Sequence, residues 1–438
     1  MKTLFIRLTP LIVFLLLPGW AVAAETSIDA TTIFRIEKRD ITGTGKQNIN
    51  PATQFIGLDM DKLADGNLSI HAYGWGRIDL GDESYSTGKS DASLTYGYLR
   101  YRFSTANADA RAGRFFVREG IVNEQVDGVS ARTDLPLGFG ISAFGGATVH
   151  NDNLYGESND GKGDYLYGGR VRYRYKGAFE LGLSGVYEDA APALLIHANG
   201  SRRLFGPDIW LSPHKSIELI GHSSYNTTTG GFAEHSYLLN LKPVQHLVLS
   251  GEFTEHKERS FFYSWSMFSG AALNPADKAR SVGVGASYEI GKLLELDVDY
   301  KHYTREFGSA NRYGGTLKLN FMDNSLRTGV GYHFLQADKE FAISGTTAAS
   351  YQELRGYALL DSKSFFAAVD LLGFFFKEKI YNESSATEAV ASLGYHITPE
   401  LALSGDISYG RNPEFSEETK GLLRLTYNAS FGGKGEKK

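Results

Sequence analysis

The sequence predicts an all-β fold: a closed antiparallel transmembrane β-barrel of about 22 strands, within a range of roughly 18 to 22, preceded by a cleaved signal peptide. Three observations predict it. They are hairpins with strict two-residue alternation, an N-terminal export segment, and connections that alternate between short and long. The alternation is plainest in Asp164 to Asp189, DYLYGGRVRYRYKGAFELGLSGVYED. There Tyr165, Tyr167, Val171, Tyr173 and Tyr175 share one face while Arg170, Arg172, Arg174 and Lys176 share the other, a period of two that belongs to a strand. After the turn at Lys176-Gly177, Phe179, Leu181, Leu183 and Tyr187 alternate with Glu180, Ser184 and Glu188 in the same way. Four cations on one face require water there, and the aromatic face requires an apolar medium, either a core or a bilayer.

The export segment favours the bilayer. Lys2 and Arg7 precede the apolar run Leu8 to Leu17, which leads into Pro18-Gly19 and Ala21-Val22-Ala23-Ala24. Residues 1–24 therefore read as a signal peptide cleaved after Ala23 or Ala24, residues 25–431 as the barrel, and residues 432–438 as a disordered polar tail. The apolar run falls short of the roughly 20 residues that a helical span needs. No later stretch approaches that length, and LLGFFF at 371 to 376 is too short as well. The chain has no cysteine, so disulfides, thiolate metal ligands, a lipidated N-terminal cysteine and covalent C-x-x-C-H haem attachment are all excluded. Loss of Lys2 and Arg7 takes the formal net charge from -5 to about -7, which gives no reason to expect nucleic acid. With 27 Phe and 25 Tyr but only 11 Pro, the composition suits long strands.

Taken in order, Ser27 to Lys38 is the first strand, and the polar stretch DITGTGKQNINPA after it reads as a loop. Gln54 to Leu63 turns at Ala64-Asp65-Gly66 and returns as Leu68 to Leu80. Ser93 to Phe103 places Leu99, Tyr101 and Phe103 opposite Arg100 and Arg102, and turns at Thr105-Ala106-Asn107. Further short turns are expected at Asp134-Leu135-Pro136, Lys176-Gly177, Pro213-His214-Lys215, Pro243-Val244-Gln245, Gly291-Lys292, Asp323-Asn324, Asp361-Ser362-Lys363 and Thr398-Pro399-Glu400. Longer connections are expected at 151–163, 227–234, 258–279, 338–350 and 378–386. This asymmetry suits short periplasmic turns and long external loops, and an even strand number puts both termini in the periplasm. In the last strand Leu423, Leu425, Tyr427 and Phe431 alternate with Arg424, Thr426, Asn428 and Ser430. That strand resembles the C-terminal targeting strand by which outer-membrane proteins engage the barrel-assembly machinery, except that GGKGEKK follows Phe431.

With the aromatic faces in lipid, the polar faces line a lumen. Arg100, Arg102, Arg111, Arg132, Arg170, Arg172 and Arg174 form a basic stripe on the early strands. Glu289, Glu295, Asp297 and Asp299 form an acidic side on later ones. Two readings stand for these charges: a transverse field or docking surface of two signs, and the ordinary wetting of a pore wall. The apolar connection 258–279 reads as a constriction, a partner contact or packing on the rim, and Gly113 to Gly128 is open in the same way. The eleven His are scattered, and neither H-E-x-x-H nor G-x-S-x-G occurs, so an enzyme, a metal site and a bound cofactor are not expected.

Across the mature chain these hairpins, among them SYLLNLKPVQHLVLSGEFTEH and SLGYHITPELALSGDISYG, resemble bacterial outer-membrane porin-like barrels. They further resemble the barrel component of porin-cytochrome conduits in metal-reducing bacteria. The first resemblance implies a bacterial outer-membrane channel, surrounded by lipid, that passes hydrophilic solutes or ions, with the arginines favouring anions. The second implies a sheath around a multihaem c-type cytochrome, with periplasmic or surface cytochromes as partners in extracellular electron transfer.

Overall fold

The structure, a computed structural model, describes residues 25–41, 45–83, 88–149, 164–191, 200–257, 278–305, 308–338, 350–413 and 415–432. The expected signal peptide, the tail from 433 and the connections 151–163 and 258–277 lie outside these residues. No helix among the described residues is long and apolar enough to cross a membrane.

The described chain is one antiparallel sheet closed on itself. It begins with β1 (Glu25–Ile41), β2 (Gly45–Ile49), β3 (Pro51–Leu63), β4 (Leu68–Asp79), β5 (Ser90–Phe103) and β6 (Ala108–Glu119). It continues through β7 (Val122–Asp134), β8 (Phe139–Thr148), β9 (Leu166–Tyr175), β10 (Phe179–Ala191), β11 (Gly200–His214) and β12 (Ile217–Asn226). Then come β13 (Gly231–Val244), β14 (Leu247–His256), β15 (Ala279–Ile290), β16 (Leu294–Arg305), β17 (Gly308–Phe321) and β18 (Leu326–Ala337). The last are β19 (Tyr351–Asp361), β20 (Phe365–Ile380), β21 (Glu383–His396), β22 (Leu401–Arg411) and β23 (Phe415–Phe431). Both β2 and β3 pair with β1, from Ile41↔Gly45 to Glu37↔Ile49 and from Phe34↔Ala52 to Glu25↔Asp61. They are therefore one stave interrupted at Asn50, and the 23 strands make 22 staves. Closure runs along β1 and β23, from Thr26↔Phe431 to Ile41↔Phe415, so the first and last strands do not face lipid as open edges.

Ten connections of two to four residues lie at the end that holds both termini, the periplasmic end in this architecture. Two of the expected turns shift, because β11 extends through Pro213-His214 and β13 through Pro243-Val244 before turning. At the opposite end the expectation of long loops is corrected in three places. The polar stretch expected as a loop is mostly strand, shared among the end of β1, β2 and the start of β3, 227–230 is a tight turn, and β20 and β21 meet across two residues. Tyr381 and Asn382 both have positive φ (47° and 72°), the conformation that matches strand twist in a two-residue hairpin. At about 2.5 Å of height per tilted residue, the 16 residues of β20 rise about 40 Å, beyond the ~25 Å apolar band.

The two faces separate as the alternation predicts. Val171, Leu183, Val284 and Leu371 stand 53–58% exposed on the outside, while Ser184 and Glu188 on the inner face of β10 are nearly inaccessible. Twenty-two staves about 4.8 Å apart and tilted roughly 40° correspond to a barrel about 45 Å across, backbone to backbone.

Candidate functional site in the lumen

The arginine stripe lies on the inner face, bound into a network of carboxylates. Asp109 on β6 sits 3.0 Å from Arg100, 2.5 Å from Arg132 and 3.7 Å from Arg111. Glu180 on β10 takes Arg170 at 2.8 Å, Arg172 at 3.1 Å and Arg174 at 2.6 Å. Arg172 also reaches Asp134 at 2.5 Å, and Arg170 crosses β10 to Asp208 on β11. Gly182 makes that crossing possible, since a Cβ there would lie 2.3 Å from Asp208 Oδ2 and 2.6 Å from Arg170 Nε. Six of the seven arginines of the stripe thus contact four carboxylates, and Arg102 shares the face of Arg100 on β5, so these arginines outnumber the carboxylates they meet.

The acidic group also lies inside and is also partnered. Glu295 and Asp297 hold Lys318 at 2.9 and 2.5 Å, and Asp299 meets Arg312 at 3.0 Å and His333 at 2.9 Å. Glu289 approaches His246 at 3.2 Å, and Lys301 pairs with Glu252. With the interrupted stave counted once, β5 and β16 are eleven staves apart, half of the circumference. In the last strand, Leu423, Leu425 and Phe431 are exposed on the outer face, and Tyr427 pairs with Ala30 across the closure.

Gly113 to Gly128, left open by sequence, turns out to be a hairpin that leaves the wall. β6 pairs with β5 only as far as Arg114↔Gly97, and among the described residues that ladder goes no further. β7 pairs with β8 to that strand's end at Val126↔Thr148, and Val149 N donates to Gln125 O at 3.1 Å beyond it. The bend sits at Gly113 (φ +127°) and its cross-strand partner Gly128, where a Cβ would come within 2.2 Å of Gly97 O and 2.1 Å of Gly145 O. Beyond the bend, Phe115, Val117, Val122 and Val126 bury themselves against Phe144, Leu166 and Val186 on the inner faces of β8, β9 and β10.

Polar contacts fix the tip. Ile121 N donates to Ser184 Oγ at 3.1 Å. The Arg202 guanidinium bridges Glu124 on the hairpin (2.5 Å) and buried Glu188 on β10 (2.6 Å). Between hairpin and wall lies a cavity of about 630 Å³, lined by Tyr96, Tyr98, Phe115 and Phe116 together with Arg111 and Arg132. Aromatic neighbours continue from it across the inner wall, Tyr98 to Tyr96 at 6.0 Å and Tyr96 to Tyr73 at 5.7 Å between ring centroids. No group of three His, Cys, Asp or Glu among the described residues could hold a metal ion.

Comparison with known proteins gives a likeness of fold. No known protein family and no curated protein matches the chain. Among solved structures, a mutant of the ferric enterobactin receptor PfeA from Pseudomonas aeruginosa aligns over 92% of this chain and 80% of its own, at 11% identity and a TM-score of 0.57. OccK3 (OpdO) from the same organism aligns over 96% and 99%, at 11% identity and a TM-score of 0.46. OccAB4 from Acinetobacter baumannii aligns over 94% and 100%, at 10% identity and a TM-score of 0.46. Closure through 22 staves, an apolar exterior and a charged interior make this chain a transmembrane β-barrel of the bacterial outer membrane.

Proposed function

We propose that the barrel is a passive, anion-leaning pore for hydrophilic solutes. The observation that carries this reading is the cationic excess on the β5–β11 wall, where six of the seven stripe arginines share Asp109, Asp134, Glu180 and Asp208 and Arg102 stands beside them. Unbalanced charge fixed beside a low-dielectric wall concentrates counter-ions and sets the sign of the permeating species. The hairpin narrows one sector of a barrel about 45 Å across. The test is the reversal potential of purified barrel in a planar bilayer under a salt gradient. Wild type is expected on the anion side, and replacing Arg170, Arg172 and Arg174 together by Gln should move it toward cations. A potential that stays put would overturn the reading.

A second reading draws support from width, since 22 staves enclose room for a folded partner. In it the barrel sheathes a multihaem cytochrome, and the two-signed wall serves as the docking surface. Haem that co-purifies at fixed stoichiometry supports the sheath. A haem-free barrel with ohmic conductance supports the pore.

A further inference from the structure

Charge is unevenly spread along the cavity between the hairpin and the wall. At the end nearer the short turns, Asp109 serves Arg100 at 3.0 Å, Arg132 at 2.5 Å and Arg111 at 3.7 Å, three guanidiniums on one carboxylate and so a formal excess of two positive charges. Arg111 is the least satisfied of the three, since 3.7 Å lies outside hydrogen-bond range and its guanidinium rests over the Tyr98 ring, 5.8 Å from the centroid. At the other end, beyond the bend at Gly113, Arg118 and Glu119 are neighbours of opposite sign, and Arg118 lies over Phe116 at 5.5 Å. That end is formally neutral. Between the two ends the lining is aromatic: Tyr73, Tyr96, Tyr98, Phe115 and Phe116. Successive centroids from Tyr73 through Tyr96 and Tyr98 to Phe115 stand 5.7, 6.0 and 6.3 Å apart. Phe115 is buried in the apolar cluster, but Tyr96, Tyr98 and Phe116 are only half-buried and keep ring surface toward the cavity.

We propose that this cavity binds a small aromatic phosphate ester of the kind represented by a nucleoside monophosphate, with the phosphoryl group at Arg111 and Arg132 and the ring against Tyr96 and Tyr98. Charge selects the head group. A phosphoryl group carries about −1.5 to −2 at neutral pH, which matches the excess beside Asp109, whereas a carboxylate balances only half of it. Guanidinium forks bind its oxygens through paired, charge-assisted hydrogen bonds. Half-buried rings select a flat body, because a base or phenyl ring stacks on such surfaces. The neutral end suits the uncharged remainder of the ligand, with Glu119 as an acceptor for an amine or hydroxyl. A cavity of about 630 Å³ is in the range of small-molecule sites. The proposal rests on the pore reading for how the ligand arrives, and not for whether it binds.

The test is equilibrium dialysis of the purified full-length barrel in detergent at low salt. Adenosine 5′-monophosphate should bind at least about tenfold more tightly than adenosine or ribose 5-phosphate, and phenyl phosphate about fivefold more tightly than benzoate. Arg111→Gln should weaken the monophosphate about tenfold and leave adenosine unchanged. Tyr98→Leu should weaken the monophosphate and adenosine alike and leave ribose 5-phosphate unchanged. Arg355, paired with Asp370 on the inner face of β19, lies nine staves from β6 the short way round when the interrupted stave is counted once. Arg355→Gln should leave binding of the monophosphate as in wild type, which separates a local site from the general potential of the lumen. Adenosine bound as tightly as its monophosphate, benzoate as tightly as phenyl phosphate, or equal losses in the Arg111 and Arg355 variants would each defeat the proposal. The comparisons among ligands use wild type alone and so do not depend on any variant folding. A barrel that binds the monophosphate yet shows a cation-side reversal potential keeps the site and loses the anion-leaning pore.

Discussion

Arg202 shows how a single side chain holds a piece of the wall out of register with its neighbours. It joins Glu124 on the hairpin to Glu188 on β10, and its removal leaves two carboxylates facing each other with little access to water. Arg202→Ala should cost about 3 kcal/mol, the range for breaking one side of a buried ion pair, measured by denaturant unfolding in detergent. Val126, fully inaccessible at the centre of the apolar cluster, gives a second check. Val126→Asp places an unpaired charge there and should speed amide exchange across residues 115–126 by tenfold or more. The sequence named the arginines of the stripe and placed Glu180 on the polar face of the following strand, while the three-residue turn 176–178 sets it opposite Arg174. It could not name Asp208, because that contact skips over β10 and depends on the space left by Gly182.

At the scale of the element, alternation and turn residues were enough to place nearly every strand, since each is defined by local periodicity. The β6–β7 hairpin was ambiguous for a physical reason. Its inner-face residues Phe115, Val117, Val122 and Val126 are apolar like the lipid face of an ordinary strand, because they pack on another stretch of wall. A signal was present in Gly113, Gly128 and Gly145-Gly146, glycines aligned on adjacent strands where backbones approach closely, but their alignment requires the register. Gly113→Val or Gly128→Val should therefore prevent the hairpin from seating. Single-channel conductance should rise while the heat-resistant migration of the folded barrel on gels persists. Lower conductance would mean that the hairpin is not the element that narrows this sector.

For the whole molecule, closure is the property on which the others depend, and it rests on one interface between the two ends of the chain. A chain stopped at Asn412 lacks β23 and with it every pairing from Thr26↔Phe431 to Ile41↔Phe415. It should give no heat-resistant folded band, because two open edges cannot persist in hydrocarbon. The number of staves was legible from counting turns at one end. The length of the opposite connections was not, since polar residues continue the strands into water there as readily as they form loops.

The hairpin of β20 and β21 carries this last point to the cell surface. Its staves climb past the bilayer and reverse within Tyr381-Asn382, so what projects is a stiff ribbon with almost no slack backbone. Proteases need a flexible segment threaded into their clefts, and this ribbon offers none. Shaving intact cells with a broad-specificity protease should leave residues 365–396 uncut, while an antibody or phage fibre that reads a rigid shape would find them a durable foothold.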